Sequence, residues 1–179
     1  IDLGAGAVLE RGCVYLVPLL ERLDLVEVIS AITNPKSSTG RLDVFTRLIT
    51  DNASVFDKVA ADYSGPLYLE IAPIAFSVLA RTGDRLNQIR FYQRRNLIND
   101  GDLADLHSKT PIVSDGATED FIDGGLKFTI DLSGTSTRTI GYRARPHTPV
   151  IDLRKIGHYD PRDFWEPVPA GRKSGIILN

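Results

Sequence analysis

A chain of 179 residues that is 42% hydrophobic and 25% charged is long and apolar enough for one good core or two small ones, which excludes a disordered chain. Its 21 basic residues nearly balance 23 acidic ones, for a formal net charge of −2, so it carries no electrostatic footprint for duplex DNA or RNA and must bind any anion locally. A lone cysteine, Cys13, excludes an internal disulfide and a cysteine-based zinc cage.

No apolar run approaches the length of a membrane span, and Ile1-Asp2-Leu3-Gly4 has neither the charged nor the apolar region of a signal peptide, so a cytoplasmic protein is expected. The chain contains no methionine, even at position 1. That is expected of an excised fragment, or of a chain whose modified methionines are missing from the sequence.

Up to Tyr92 the chain reads as short strands broken by turns, because β-branched and aromatic residues recur in brief runs between Gly, Pro, Asn and Asp. The first strand is predicted at Cys13–Pro18, with Cys13 as a small apolar strand residue. Next, Asn34-Pro35-Lys36-Ser37-Ser38-Thr39-Gly40-Arg41, followed by Leu42, Val44, Phe45 and Leu48, reads as a turn feeding a short amphipathic helix. Further strands are predicted at Leu67–Ile71, Phe76–Leu79 and Gln88–Tyr92. In the first of these, the two-residue period puts Leu67, Leu69 and Ile71 on one face and Tyr68 and Glu70 together on the other.

From Asn96 to Gly125 the sequence turns polar and rich in Gly and Asp, which reads as a long connection with a helical turn near Asp102–Leu106. A hairpin is predicted from Leu126–Leu132 and Arg138–Arg145 around a turn at Ser133–Ser136, with another strand at Pro149–Leu153. Asp160–Pro169 holds three prolines and two large aromatics, which suits a packed, extended connection with Trp165 as its anchor. The end, Ser174-Gly175-Ile176-Ile177-Leu178-Asn179, faintly echoes Gly6-Ala7-Val8-Leu9-Glu10, as if a second copy were beginning.

Several chemistries find no support. The H-x-E and P-C-x-x-C elements of zinc deaminases are absent. His107, His147 and His158 form no i, i+4 pair and read as surface or structural residues, so no catalytic zinc is expected. Walker, Rossmann and G-x-S-x-G patterns are missing too.

Two segments remain. Lys36-Ser37-Ser38-Thr39-Gly40-Arg41 offers two hydroxyls, two cations and backbone N–H groups at a helix start, the equipment for gripping phosphate oxygens, although serines before a helix are more often caps. Asp62-Tyr63-Ser64-Gly65-Pro66-Leu67-Tyr68-Leu69-Glu70 presents a carboxylate whose ordinary reading is a strand residue paired with an arginine. In this order the two resemble the motifs of the dCTP deaminases, in the dUTPase-like superfamily: an Arg/Lys-Ser-Ser-x-x-Arg element, then a Pro-Gly turn leading into a strand that ends in Leu-Glu. Gly12–Leu23 is similar to the family's strand before the phosphate element, and Thr82-Gly83-Asp84-Arg85-Leu86-Asn87-Gln88-Ile89-Arg90-Phe91 to its closing strand. The resemblance covers roughly residues 12–92, and it departs at Ala60, where the family has an Asp that helps hold the sugar. Asp57 and Asp62 are the candidate substitutes.

The resemblance implies a mostly β fold, a distorted jelly roll or β-clip, with a short helix after the phosphate motif and a smaller extended β-rich C-terminal region. Residues 1–95 would form the nucleotide-binding domain, and 96–179 a linker and accessory β region, leading into a second copy if the protein is the long bacterial form with two tandem domains. The implied reaction is hydrolytic deamination of dCTP to dUTP and ammonia in pyrimidine deoxynucleotide metabolism. Glu70 would activate water, and Lys36, Ser37, Ser38, Arg41, Asp62, Tyr68 and Gln88 would bind nucleotide. Mg²⁺ would enter only on the triphosphate, with no metal ligand in the protein, and the implied partner is another copy, in a trimer or its tandem-repeat equivalent. Tyr142, Arg143, Arg145 and Lys155 read either as further nucleotide contacts or, more simply, as a solvated basic face. Two other functions fit the same residues: a dUTPase or bifunctional deaminase-diphosphatase, and a degenerate, non-catalytic nucleotide-binding or assembly domain.

Overall fold

The computed structural model describes residues 1–93, 97–113, 121–132 and 139–170. In chain order its elements are β1 (Ala7–Leu9), β2 (Tyr15–Asp24), β3 (Ser30–Pro35), the four-residue helix α1 (Ser37–Gly40), β4 (Val44–Thr50), β5 (Lys58–Val59), β6 (Ser64–Pro73), β7 (Val78–Ala80), β8 (Asn87–Tyr92), α2 (Asp100–Lys109), β9 (Thr139–Ala144), β10 (Ile151–Asp152), a 3-10 turn at Pro161–Asp163 and β11 (Trp165–Pro169). The fold is mostly β, in several small sheets with few helices. Two compact units divide the chain, Ile1–Arg94 with Tyr142–Pro167, and Arg95–Gly141 with Val168–Asn179.

The first unit is organised by β6, which is antiparallel to β2 on one side and to β4 on the other. Its alternation works as the residues dictate: Leu67, Leu69 and Ile71 are buried, while Pro66, Tyr68 and Glu70 lie on the more open face. β3 is flanked by β5 and β8, both antiparallel to it. In a third small sheet β7 pairs with β1 antiparallel and with β10 parallel. The core joins Leu9, Val44, Leu48, Val59, Leu69, Phe76 and Val78 to Ile151 and Phe164 from the returning segment. Burial of apolar area on this scale, at roughly 25 cal/mol per Å², is what holds such short strands together.

Residues 44–50 depart from the sequence expectation. They form β4 and not an amphipathic helix, with Val44, Thr46, Leu48 and Thr50 buried in strict alternation. The i, i+3 spacing of Leu42, Phe45 and Leu48 suggested a helix, but β-branched residues and pairing of the whole of β4 with β6 outweigh it. The helix that does form lies within the phosphate-type element. Cys13 likewise is not in a strand; it is exposed, just ahead of β2.

Trp165 is the anchor its segment needs, edge-on to Phe76 with ring centroids 5.2 Å apart, and Phe164 meets the same ring at 5.4 Å. Just ahead of Phe164, Asp160 caps the 3-10 turn by accepting from the Arg162 N–H, and β11 pairs with β9.

In the second unit the predicted helical turn is a full helix, α2, capped by the Asn99 side chain, which accepts from the Asp102 N–H. The Asp100 carboxylate accepts from the N–H groups of Gly124 and Gly125, at 2.8 and 3.0 Å. Both glycines have positive φ, 65° and 127°, which a side chain would strain. The strand expected at Leu126–Leu132 is absent: only an isolated Ile122–Leu126 bridge forms, and Phe128 and Ile130 are exposed. Its alternation has no partner edge among the described residues. The expected turn at Ser133–Ser136 and the echo at Ser174–Asn179 lie outside the described residues.

Candidate active site

The Lys36–Arg41 element sits between β3 and β4. Lys36, not a serine, is the N-cap of α1, and no side chain makes a capping bond. Ser37 and Ser38 are therefore in the first turn with their side chains exposed, and no described residue hydrogen-bonds either hydroxyl. The anchor is Thr39, only 3% exposed, together with the Lys36 N–H donated to the Leu86 carbonyl at 3.0 Å. Arg41 is exposed and no described residue pairs with its guanidinium. Two hydroxyls and the Arg41 guanidinium thus stand unpaired among the described residues on a firmly held turn.

Gln88 is brought to the same place by the β3–β8 ladder, which pairs Asn34 with Gln88 and Pro35 with Asn87. Its amide donates to the Pro35 carbonyl at 3.4 Å. Asn34, Gln88, Ile89 and Arg90 line a small pocket beside it. Arg90 was not among the sequence candidates, although period-2 alternation from Gln88 puts it on the same side.

Glu70 and Tyr68 form a second group, on the open face of the β2–β6–β4 sheet. The register sets Leu16 opposite Glu70 on β2 and Arg47 opposite it on β4. Arg47 donates from both Nε, at 2.8 Å, and Nη2, at 2.5 Å, to the same oxygen, Oε1. Oε2 has no partner among the described residues and is still reached by solvent, since no polar side-chain atom of those residues is both buried and unpaired. The Glu70 side chain is 17% exposed and that of Arg47 34%. Tyr68, beside Glu70, is opposite Pro18 and Ile49. A carboxylate with one oxygen tied and the other open can accept a proton from a bound water.

Thr46 points inward, where Asn87 donates to its hydroxyl at 3.3 Å, and alternation along β4 turns its neighbour Arg47, and with it Glu70, to the opposite face. No hydrogen bond joins the groups among the described residues.

The two candidates for the sugar contact differ. Asp57 is engaged: its Oδ1 accepts from the Leu48 N–H at 2.8 Å and from the Thr33 hydroxyl at 2.9 Å, while its backbone adopts φ 60°. It ties β3 to β4. Asp62 is exposed in the turn before β6, also at positive φ. Of the basic residues in the second half, Arg143 is ion-paired with Glu166, Arg145 donates to the Arg162 carbonyl, and Tyr142 and Lys155 are exposed. His107 accepts the Ile112 N–H and stacks edge-on against Phe121, and among the described residues no three His, Cys, Asp or Glu side chains gather as a metal site. No helix among them is long and apolar enough to cross a membrane.

Comparison with known proteins bears on this arrangement. The family model described as 2'-deoxycytidine 5'-triphosphate deaminase (DCD) N-terminal domain matches residues 1–95, and that of the C-terminal domain of the same family matches residues 99–179. Among solved structures, the crystal structure of 2'-deoxycytidine 5'-triphosphate deaminase from Agrobacterium tumefaciens is similar, with a TM-score of 0.83 and 48% identity over 96% of this chain and 51% of that one. The chain thus spans about half the length of that relative. No curated protein matches.

Proposed function

Because the chain belongs to the 2'-deoxycytidine 5'-triphosphate deaminase family, we propose that it serves in the hydrolytic deamination of dCTP to dUTP and ammonia, with Glu70 as the group that activates water. The observation that carries this reading is the state of Glu70: Oε1 is held by Arg47, while Oε2 has no partner among the described residues and is open to solvent. Water attacks C4 of the cytosine ring as Oε2 takes its proton. The carboxyl passes that proton to ring N3, then takes the second proton from the hydroxyl now on C4 and delivers it to the amine, so that the exocyclic C4–N bond breaks, ammonia leaves and a carbonyl remains at C4. One carboxylate acts as base and then as acid.

Lys36, Ser37, Ser38 and Arg41 would bind the triphosphate through charge-assisted hydrogen bonds. Their donors suit phosphate oxygens and supply no carboxylate for a cation, so Mg²⁺ would be carried by the phosphates and water. Tyr68, Gln88 and Asp62 would contact base and sugar; Asp62 is the better substitute at the position lost to Ala60, because Asp57 is occupied. A site completed by another copy, in a trimer or a tandem equivalent, would bring the two groups to one nucleotide, since no hydrogen bond joins them among the described residues.

The ion pair itself favours a second reading, in which Arg47 and Glu70 are a structural pair in a copy that binds nucleotide without turnover. Ammonia release from dCTP by the complete protein, with and without Glu70→Gln, separates the two. The deaminase reading requires activity that the substitution abolishes while binding persists. Pyrophosphate from dUTP without ammonia from dCTP would select a dUTPase instead.

A further inference from the structure

We propose that Arg47 is a positioning residue for Glu70, one that decides which carboxylate oxygen is left to meet water; the proposal rests on the catalytic reading of Glu70 above. Both of the Arg47 nitrogens that reach Glu70 converge on Oε1, at 2.8 and 2.5 Å, so the guanidinium fork claims one oxygen. The fork is itself held. Its carbon lies 3.9 Å from the centroid of the Phe56 ring and 5.3 Å from that of Phe45, an aromatic seat of the kind that favours a planar cation.

Among the described residues Arg47 is the one group that hydrogen-bonds the carboxylate. Across β2 the facing residues are Leu16 and Pro18, which offer no side-chain donor; across β4 they are Arg47 and Ile49; along β6 the neighbour is Tyr68. A carboxylate on an open strand face, free to rotate about its terminal torsion, would present either oxygen in turn. With Oε1 pinned, Oε2 is presented in one orientation. Lysine in this place would keep the charge and lose the two-nitrogen grip.

The test is steady-state deamination of dCTP by the complete protein and its variants, read as ammonia release. Arg47→Ala and Arg47→Lys should lower kcat by roughly 10–100-fold, the cost of a reacting group misplaced by about 1 Å, with KM for dCTP little changed. Added methylguanidinium should restore part of the kcat of Arg47→Ala, which a purely structural loss would not allow. Phe56→Leu, which removes the ring under the guanidinium and leaves the ion pair possible, should lower kcat less. Wild-type kcat in Arg47→Ala, a rise in KM alone, or a fall in kcat that methylguanidinium does not touch would each overturn the proposal. If Arg47→Ala does not fold, wild-type kcat in both Arg47→Lys and Phe56→Leu would overturn it. An inactive parent, or an active Glu70→Gln, would instead remove the reading on which the proposal stands, whereas an active parent, an inactive Glu70→Gln and an unaffected Arg47→Ala would remove the positioning role alone.

Discussion

Asp152 grips both terminal nitrogens of Arg81, at 2.7 and 3.0 Å, and so fastens the short strand β10 to the residue that follows β7. The hydrogen bonds from the Arg81 side chain, followed by that from the Arg154 backbone N–H, hold the Asp152 carboxyl down at about 2. A carboxylate that is more acidic in the folded state stabilises the fold at neutral pH, and this contribution disappears as pH falls from about 4 towards about 2. Thermal melts across that window should show wild-type Tm falling more steeply than that of Asp152→Asn. Asp160, held near the same value by Arg162, titrates alike in both proteins and cancels in the comparison. Parallel curves would mean that the Arg81–Asp152 pair adds nothing to stability.

Asp57 should prove structural. Asp57→Ala leaves the Leu48 N–H and the Thr33 hydroxyl without their acceptor, at about 1–3 kcal/mol for a group left unsatisfied in a partly buried place. It also puts alanine at a φ of 60°. Urea unfolding reads the loss, and Asp57→Asn, which keeps an acceptor oxygen and tolerates that backbone, should recover most of it. An undiminished fold combined with lost nucleotide affinity would transfer Asp57 to the sugar site.

Arg41→Ala should weaken dCTP binding by about 1.5–3 kcal/mol, the scale of a hydrogen bond to a charged group, and leave Tm unchanged, because the side chain is exposed and contributes nothing to the core. Calorimetry against dCTP and against deoxycytidine distinguishes a phosphate contact, which only the triphosphate would feel. Equal loss for both ligands would argue against it.

The returning segment should be indispensable to the first unit. Phe164, 4% exposed, meets Phe76 edge-on at 5.4 Å, and Phe164→Ala should cost about 3–5 kcal/mol through the cavity it leaves. Denaturant midpoints measure this. A shift of a few tenths of a kcal/mol would mean that the segment is only loosely applied to the core.

What the residues alone determined is what depends on neighbours in sequence. The two-residue period of Leu67–Ile71 set Tyr68 and Glu70 on one face, the two polar segments appeared in a family's order, and the aromatic pair before Pro167 marked an anchor. Pairing between distant strands decided the rest. Residues 42–48 satisfy a helical spacing and a strand alternation at once, and only β6, lying alongside, selects the strand. Once β4 exists, its register puts Arg47 beside Glu70, a contact across 23 positions that no local pattern encodes, since a one-residue slip would turn Arg47 to the other face. The same holds for Asp57, whose carboxylate looked like a ligand contact in the sequence. It became a tie between β3 and β4 because their unpaired donors meet only in the folded chain.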